Sequence, residues 1–417
     1  MELYTYILNS DDPLEPGTFD KIDVIEDYES IIWTERYYGD SECEIVFAKN
    51  SPERKKLSPG IFLGVDESNE LMSLETIEPN GDTLNYKGIG LLPWLNNRFV
   101  RTSKLHKRKD WKIKDKAPGE ILWYMLQQMV GVDSDFLNPD DTDIPQKYLD
   151  KLKIPEIGLH EFDDSDDPVT LSVSFAPLYD EMKRIAMTYL IGMKLIFEPA
   201  NFDPYTDEPL GFLSYKGLDR TSNQVPDSPD DPLNEIVRFS ADLDSLQNIQ
   251  ELESLAQYKT IVFSFAQSTN VDIGTADGAN AGVAYLTPTD EDDQMSGFNC
   301  RAEQIFTDIS GVGDTVLSTV ADLTEEDVDD LKKMLGSAAK KTLANAFIIR
   351  AVDGEVTPTD MFVYGRNYGM GDLIEYQADD GLISVTRITE HILSQDAASG
   401  ERSFEVFSRD EDNLPIG

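Results

Sequence analysis

At 417 residues the chain exceeds what one hydrophobic core comfortably serves, so two to four domains are expected. Its 40% hydrophobic and 10% aromatic residues exclude general disorder. The 36 basic against 79 acidic residues give a net charge of −43, a field that repels nucleic acid and anionic membranes and disfavours conventional DNA binding.

Residues 1–112 read as all β. Ile22 and Val24 alternate with charged neighbours, and Tyr28 to Tyr37 is rich in β-branched and aromatic side chains. Cys43, Ile45 and Phe47 then alternate with Glu42, Glu44 and Val46. A period of two, with the turn signal Gly39-Asp40-Ser41 between runs, predicts half-buried antiparallel strands. Residues 61–66 and 71–79 continue the series. Asn80-Gly81-Asp82 marks a hairpin, because Asn-Gly tolerates positive φ, and residues 83–90 lead into LLPWLNNRFV. Short strands joined by tight turns predict a small barrel or curled sheet.

One segment reverses the charge. From Arg98 to Lys116, nine Lys or Arg stand against Asp110 and Asp115, a local net of +7 that leaves the remainder near −50. The run reads as a long solvated hairpin or as a docking patch for an acidic neighbouring subunit. The second reading assigns docking to Arg98, Arg101, Lys104, Lys107, Arg108, Lys109 and Lys112. Trp111 is the one aromatic placed to stack on a base, and the surrounding field opposes such contact.

Residues 113–240 mix helices with strands. Pro118 can open a helix, since its missing donor is not needed there. Ile121, Leu122, Met125, Leu126 and Met129 mark one apolar face up to a stop at Gly131. The acidic, proline-bearing stretch 133–168 reads as loop. A strand at 169–175, a helix at 177–190 buried through Leu178, Met182, Ile185 and Tyr189, and a strand at 193–199 predict a compact inserted subdomain. Met and aromatic stripes at helical spacing are core positions. Strand-like stretches at 212–224 and 236–240 follow.

From residue 241, Leu246, Ile249, Leu252 and Leu255 predict a helix near 243–257, and 260–266 a strand. The Gly/Asp/Thr/Asn-rich stretch 267–300 reads as loop or extended arm, part of a loop-rich insertion over 267–322. The next helix, within 323–347 and centred on 324–346, is the strongest. Thr324 caps it, acids fill its first turn, and Lys332, Lys333, Lys340 and Lys341 lie nearer its C-terminus, complementing the helix dipole. Val328, Leu331, Leu335 and Ala338 form its expected buried face. Strands at 346–354, 361–365, 372–377, 382–393 and 402–408 close the chain.

Chemical machinery is not legible. His106, His160 and His391 have no metal-ligand partner at i+2 or i+4, and neither Cys43 nor Cys300 has a CxxC mate. The two cysteines read as reduced rather than paired. No phosphate loop occurs, and Gly369-Met370-Gly371-Asp372 reads as a turn entering a strand. The acidic clusters at 163–168, 227–232 and 290–293 read as solvated surface rather than the paired carboxylates of a glycosidase. The 289–293 run could take calcium but lacks the order of an EF-hand loop. No catalytic, cofactor or metal residue is predicted. No apolar run approaches the ~18 residues of a membrane span, and the amino terminus lacks the basic start and apolar core of a signal peptide.

Four stretches carry a family resemblance: DVIEDYESIIWTERYYGDSECEIVF with a sheet ending GIGLLPWLNNRFV; the helix after Pro118; FLSYKGLDRTSNQ with IVRFSADLDSLQNIQ and YKTIVFSF; and GMGDLIEYQADDGLISVTRITEHIL. Together they resemble the baseplate hub, or tail-tip central protein, of long-tailed phages and related archaeal viruses. The resemblance implies an α+β, β-rich fold of two small β-barrel-like domains with inserted helix-containing subdomains. The corresponding division is 1–112, 113–240 and 241–417.

The resemblance further implies a homotrimer at the virion tail tip, its six barrel-like domains ringing the tail axis. Its partners would be a distal tail ring protein, a tape-measure protein and a central fibre or spike protein. Viral DNA would pass through without specific binding, and no cofactor is implied. Some relatives carry a C-terminal peptidase or glycosidase; this chain ends at Gly417 directly after its last strand, so a non-enzymatic role is expected. The acidity fits a channel lining, and it equally resembles the carboxylate-rich surfaces of proteins from extreme halophiles. Alternatives are a hexameric distal tail ring or fibre-attachment protein and, from another class, a carbohydrate-active or host-surface-binding tail module.

Overall fold

The computed structural model of the chain describes residues 1–10, 12, 14–101, 110–139, 144–198, 208–224, 232–240, 246–256, 258–267, 283–286, 298, 300–308, 335–336, 338–339, 342–343, 349–356, 362–377, 383–396 and 400–408. The N-terminal block consists of β1 (Leu3–Asn9), β2 (Thr18–Ile25), β3 (Ser30–Arg36), β4 (Glu42–Ala48), β5 (Phe62–Val65), β6 (Met72–Asn80) and β7 (Thr83–Gly90). They pair antiparallel in the order β3-β4-β7-β6-β5-β1-β2. The predicted period of two is observed in β4, where Cys43, Ile45 and Phe47 are buried and Glu42 is exposed. Asn80-Gly81 makes the expected hairpin, with Gly81 at φ 61°.

This sheet curls on itself. Ile31 and Trp33, at one end of the strand order, share a core with Leu3 and Ile25 at the other; Ile45, Phe47, Leu63 and Met72 fill the space between. The Tyr28 hydroxyl spans the seam, 2.9 Å from Met1 O and 2.6 Å from Gln395 Oε1. Core filling of this kind contributes about 1.5–3 kcal/mol per large apolar side chain, which is what rolls an amphipathic sheet.

After α1 (Leu91–Trp94), the middle block carries β8 (Asp110–Lys116), α2 (Pro118–Val130), α3 (Gln146–Leu149), β9 (Ile157–Glu161), β10 (Val169–Ser174), α4 (Leu178–Tyr189), β11 (Gly192–Phe197) and β12 (Leu210–Tyr215). β8 pairs antiparallel with β10, while β12 lies between antiparallel β11 and parallel β9. α2 starts at Pro118, stops at Gly131 and buries the five predicted side chains. Leu178, Met182 and Ile185 of α4 join them in one core with Trp111, Val173 and Phe212. The reading of 133–168 as loop is corrected by α3 and β9. β9 shows no buried position that alternation could have revealed; the edge of β12 recruits its backbone.

The C-terminal block holds β13 (Arg238–Ser240), β14 (Leu246–Ser254), β15 (Ile261–Gln267), β16 (Val283–Leu286), β17 (Ala302–Asp308), β18 (Ile349–Val356), β19 (Leu373–Gln377), β20 (Ile383–Asp396) and β21 (Gly400–Ser408). The helix expected near 243–257 is instead β14, paired antiparallel with β18. A register shift between Gln247 and Gln250 interrupts strict alternation, so the spacing of three suggested a helix where the partner strand imposes extension. β16 and β17 likewise correct parts of the 267–322 insertion read as loop-rich; the rest of the 267–300 stretch, apart from Gln267 at the end of β15, Phe298 and Cys300, lies outside the described residues. So do Thr324, the flanking lysines and most of the strong helix. Its described positions are helical, with Leu335, Ala339 and Leu343 buried and Val262 packed on the latter two. The strand expected at 361–365 is not formed: Phe362 and Val363 are irregular, Tyr364 makes an isolated bridge with Tyr368, and Gly365 enters a turn at φ 77° with its N–H bonded to Tyr368 O at 2.8 Å.

β20 is the spine. Its residues 383–387 pair with β19, 390–396 pair with β3, and 387–396 pair with β21. The seven strands of the first block and β13, β14 and β18–β21 of the last thereby form one 13-stranded sheet, while β16-β15-β17 make a separate three-stranded one. Val237, Phe239, Tyr368, Ile374, Tyr376 and Ile388 make the core of the C-terminal side.

Candidate functional site

β3 runs into Tyr37, which is fully buried and touches all three blocks. Its N–H donates to Thr389 O on β20 at 2.9 Å, its carbonyl accepts from Met193 N on β11 at 2.9 Å, and its hydroxyl donates to Leu190 O at 2.8 Å. The ring meets Tyr215 edge-on at 5.5 Å and lies 5.3 Å from the Arg387 guanidinium. Burial pushes the Tyr37 phenol upward, with the Arg387 charge opposing.

Two glycines make room for that ring. A Cβ at Gly192 or at Gly371 would sit 2.3 Å from Tyr37 Cε2, and Gly371 also has φ +87°. Beside Gly371, Asp372 is 5% exposed and accepts from Leu218 N at 2.7 Å, Gly369 N at 2.9 Å and Arg220 Nε at 2.5 Å. Glu375 pairs with Arg238 Nη2 at 2.5 Å and accepts from the Ser222 amide at 2.7 Å and the Ser222 hydroxyl. Burial alone would raise the Glu375 carboxyl; Ser222 and Arg238 outweigh it and hold the group below its ordinary value. These buried carboxylates are fully engaged in holding Leu218, Arg220, Ser222 and Arg238 against β19 and the turn before it, which is a structural arrangement.

A cleft of about 720 Å³ opens beside the junction, lined among others by Glu35, Asp66, Glu67, Glu161, Asp163 and Lys194. Next to it, Glu70 is buried and accepts from Ser41 Oγ at 2.8 Å. Desolvation first, then the Glu35 charge, pushes its carboxyl up to about 8, against Lys194 and the Ser41 hydroxyl. The folded state therefore favours neutral Glu70. Its contribution to stability is complete below the ordinary value of 4.5 and is lost as pH rises through about 8. Thermal melts of Glu70→Gln between pH 5 and 9 are expected to decline less than those of the native chain; parallel declines would refute this.

The predicted docking residues fall into three groups. Arg101 is corrected: it is 2% exposed, its Nη1 donates to Phe136 O at 2.6 Å, and it belongs to the interior of the middle block. Arg98 is half-buried over the Trp94 ring at 5.2 Å, with Nε donating to Leu152 O at 3.2 Å, and Lys112 is half-buried on β8. Lys104, Lys107, Arg108 and Lys109 lie outside the described residues, as does His106. The run is anchored on both sides: Val100 N donates to Ala176 O at 2.9 Å, and Asp110 pairs with Ser174.

The junction escaped sequence reading. Tyr37 was legible only as a strand residue, although the Gly369–Asp372 turn beside it was read correctly. Cys43 is buried and Cys300 exposed, both free; burial pushes the Cys43 thiol up to about 12. Among the described residues no cluster of His, Cys, Asp or Glu could hold a metal ion, and no helix is long and apolar enough to cross a membrane. The 289–293 acidic run lies outside them.

Solved structures with this architecture include two tail proteins. The 43 kDa tail protein of prophage MuSo2 from Shewanella oneidensis matches with a TM-score of 0.53 and 9% identity, covering 99% of each chain. The tail protein from Neisseria meningitidis MC58 matches with a TM-score of 0.50 and 10% identity, covering 98% of this chain and 96% of that one. At such identities the likeness is one of fold. No curated protein matches by sequence. The fold is that of these tail proteins, a class of β-rich viral tail architecture. The chain belongs to the siphovirus ReqiPepy6 Gp37-like protein family, whose profile matches residues 11–406.

Proposed function

We propose that this tail protein is the trimeric baseplate hub at the tail tip, linking the tail tube and distal tail ring to a central fibre or spike. The observation that carries the reading is the pairing of β3 with β20, which joins the first β block to six strands of the last in one sheet. A chain presenting two β units in fixed relation can match a six-fold tube with three copies, whereas two loosely tethered units could not hold a common ring. The proposed units are 1–112, 113–240 and 241–417, the last carrying the insertion, although β8 crosses the first boundary to pair with β10 and β13, just before the second, pairs with β19.

The role is that of a scaffold and conduit. With a net charge of −43, an inward-facing surface would repel DNA phosphates and let DNA and the tape-measure protein pass without adhering. Arg98, Lys104, Lys107, Arg108, Lys109 and Lys112 would form the docking set for an acidic neighbour. Cross-linking of virions followed by mass measurement is expected to give three copies of the chain; a stable hexamer with no trimer would contradict the hub. Reversing Lys107, Arg108 and Lys109 to Glu is expected to weaken assembly with neighbours while leaving the isolated fold intact.

A further inference from the structure

Residues 154–157 form a ridge between two recesses, and Ile154, Pro155 and Ile157 line both. The first recess, about 290 Å³, is otherwise walled by Phe19, Phe62, Leu91, Trp94 and Arg98 among others. The second, about 220 Å³, is walled by Trp123, Leu126, Val130, Leu159, Asp133 and Glu208 among others. Backbone bonds fix the ridge: Ile154 N donates to Val130 O at 2.8 Å, and Glu156 O accepts from Leu210 N at 3.0 Å. Each recess is smaller than the ~300–1,000 Å³ of a usual small-ligand site, and each has room for an apolar side chain. An extended chain presents alternate side chains on one face roughly 7 Å apart, so a segment crossing the ridge can fill both.

Local charge decides what flanks those two anchors. In the first recess Lys153 pairs with Asp150 at 2.8 Å, and Glu156 accepts from Gly17 N at 3.3 Å. Arg98 instead donates to carbonyls, Leu152 O from Nε and Asn97 O from Nη1, each at 3.2 Å, over the Trp94 ring. Among the described residues no carboxylate pairs with it, and burial holds the guanidinium below its ordinary value. A half-buried cation in this state favours an incoming carboxylate. The second recess has the opposite need. Asp133 and Glu208 are exposed, and among the described residues neither pairs with a cation. We propose that the two recesses are one docking groove for an extended segment of another tail protein, with an acidic residue on Arg98, an apolar side chain on each side of the ridge and a basic residue on Asp133 and Glu208. Two poles of opposite sign set the direction in which the segment lies as well as its composition. The inference rests on the reading of the chain as a scaffold for other tail proteins, and not on its copy number.

The test uses the purified full-length chain labelled with fluorotryptophan. Trp94 reports on the first recess and Trp123 on the second, while Trp33 and Trp111 are buried, line neither and serve as references. The probes are acetyl-Glu-Ser-Leu-Ser-Leu-Ser-Lys-amide and the same sequence reversed, which present the order in both chain directions, titrated up to millimolar concentration. One of the two is expected to shift the fluorine resonances of Trp94 and Trp123 along a single saturation curve, leaving Trp33 and Trp111 in place. Replacing both leucines by serine is expected to weaken binding at least about tenfold. The Asp133→Lys/Glu208→Lys variant, changed only at exposed positions, is expected to bind that peptide about fivefold or more weakly and to prefer the version whose lysine is replaced by glutamate. Shifts at Trp94 alone would reduce the site to one recess and overturn the groove. No shift with either peptide, or no change of preference in the variant, overturns it as well. Shifts produced by raising the concentration of the chain alone would give the surface to a second copy and overturn docking of another protein. None of these outcomes bears on the copy number in virions, which tests the hub separately.

Discussion

Tyr37→Ala is expected to lower stability by about 3–5 kcal/mol, the range for removing a large buried aromatic, and to change the form of unfolding. The side chain packs against β12, the 190–193 turn and the 371–387 segment at once. Its loss leaves a cavity at a point where all three blocks meet. The native chain should melt as a coupled body; the variant should separate an early transition of one block from a later one. Tyr37→Phe removes the hydroxyl's bonds to Leu190 O and, at 3.3 Å, Tyr215 O, so a loss of about 0.5–1.5 kcal/mol per hydrogen bond is expected. Urea titration followed by tryptophan fluorescence reads both. A Tyr37→Ala variant within about 1 kcal/mol of the native chain, still melting in one step, would show that the junction is not where the blocks are coupled.

The second large effect is expected at Asp372. Its carboxylate satisfies two backbone N–H groups and Arg220, whose side chain is only 14% exposed. Asp372→Ala leaves a buried guanidinium without its counter-charge and two amides without an acceptor, a loss of about 3–5 kcal/mol. The Lys87–Glu78 pair provides the contrast. At 48% and 53% exposure it lies in water, and neutralising it should cost about 1 kcal/mol or less. The same denaturation assay separates the two. Equal effects at the two sites would refute the view that the buried carboxylates hold Leu218, Arg220, Ser222 and Arg238 against β19 and the turn before it.

Much of the fold was legible because its elements carry their own period. The burial of Cys43, Ile45 and Phe47, the Pro118 start and Gly131 stop, and the inward face of Leu178, Met182 and Ile185 all follow from local spacing. What escaped was imposed by partners. β14 is extended because β18 pairs with it through an irregular register, and β9 because the edge of β12 accepts it. The junction was illegible for a related reason. Tyr37 and Gly371 lie 334 positions apart, and nothing local distinguishes a tyrosine that ends a strand from one that joins three blocks. The docking residues were read from charge alone, which cannot separate Arg101, consumed by the Phe136 carbonyl inside the protein, from cations beside it.

The junction and the shared sheet give the two β units a fixed relation, and that relation is what a tail-tip ring requires. A density map of intact virions, resolved well enough to dock the described residues, tests this directly. The account predicts three copies around the tail axis, each contributing both β units to one ring next to the tail tube. A location off the axis, or six copies each contributing a single unit, would contradict it.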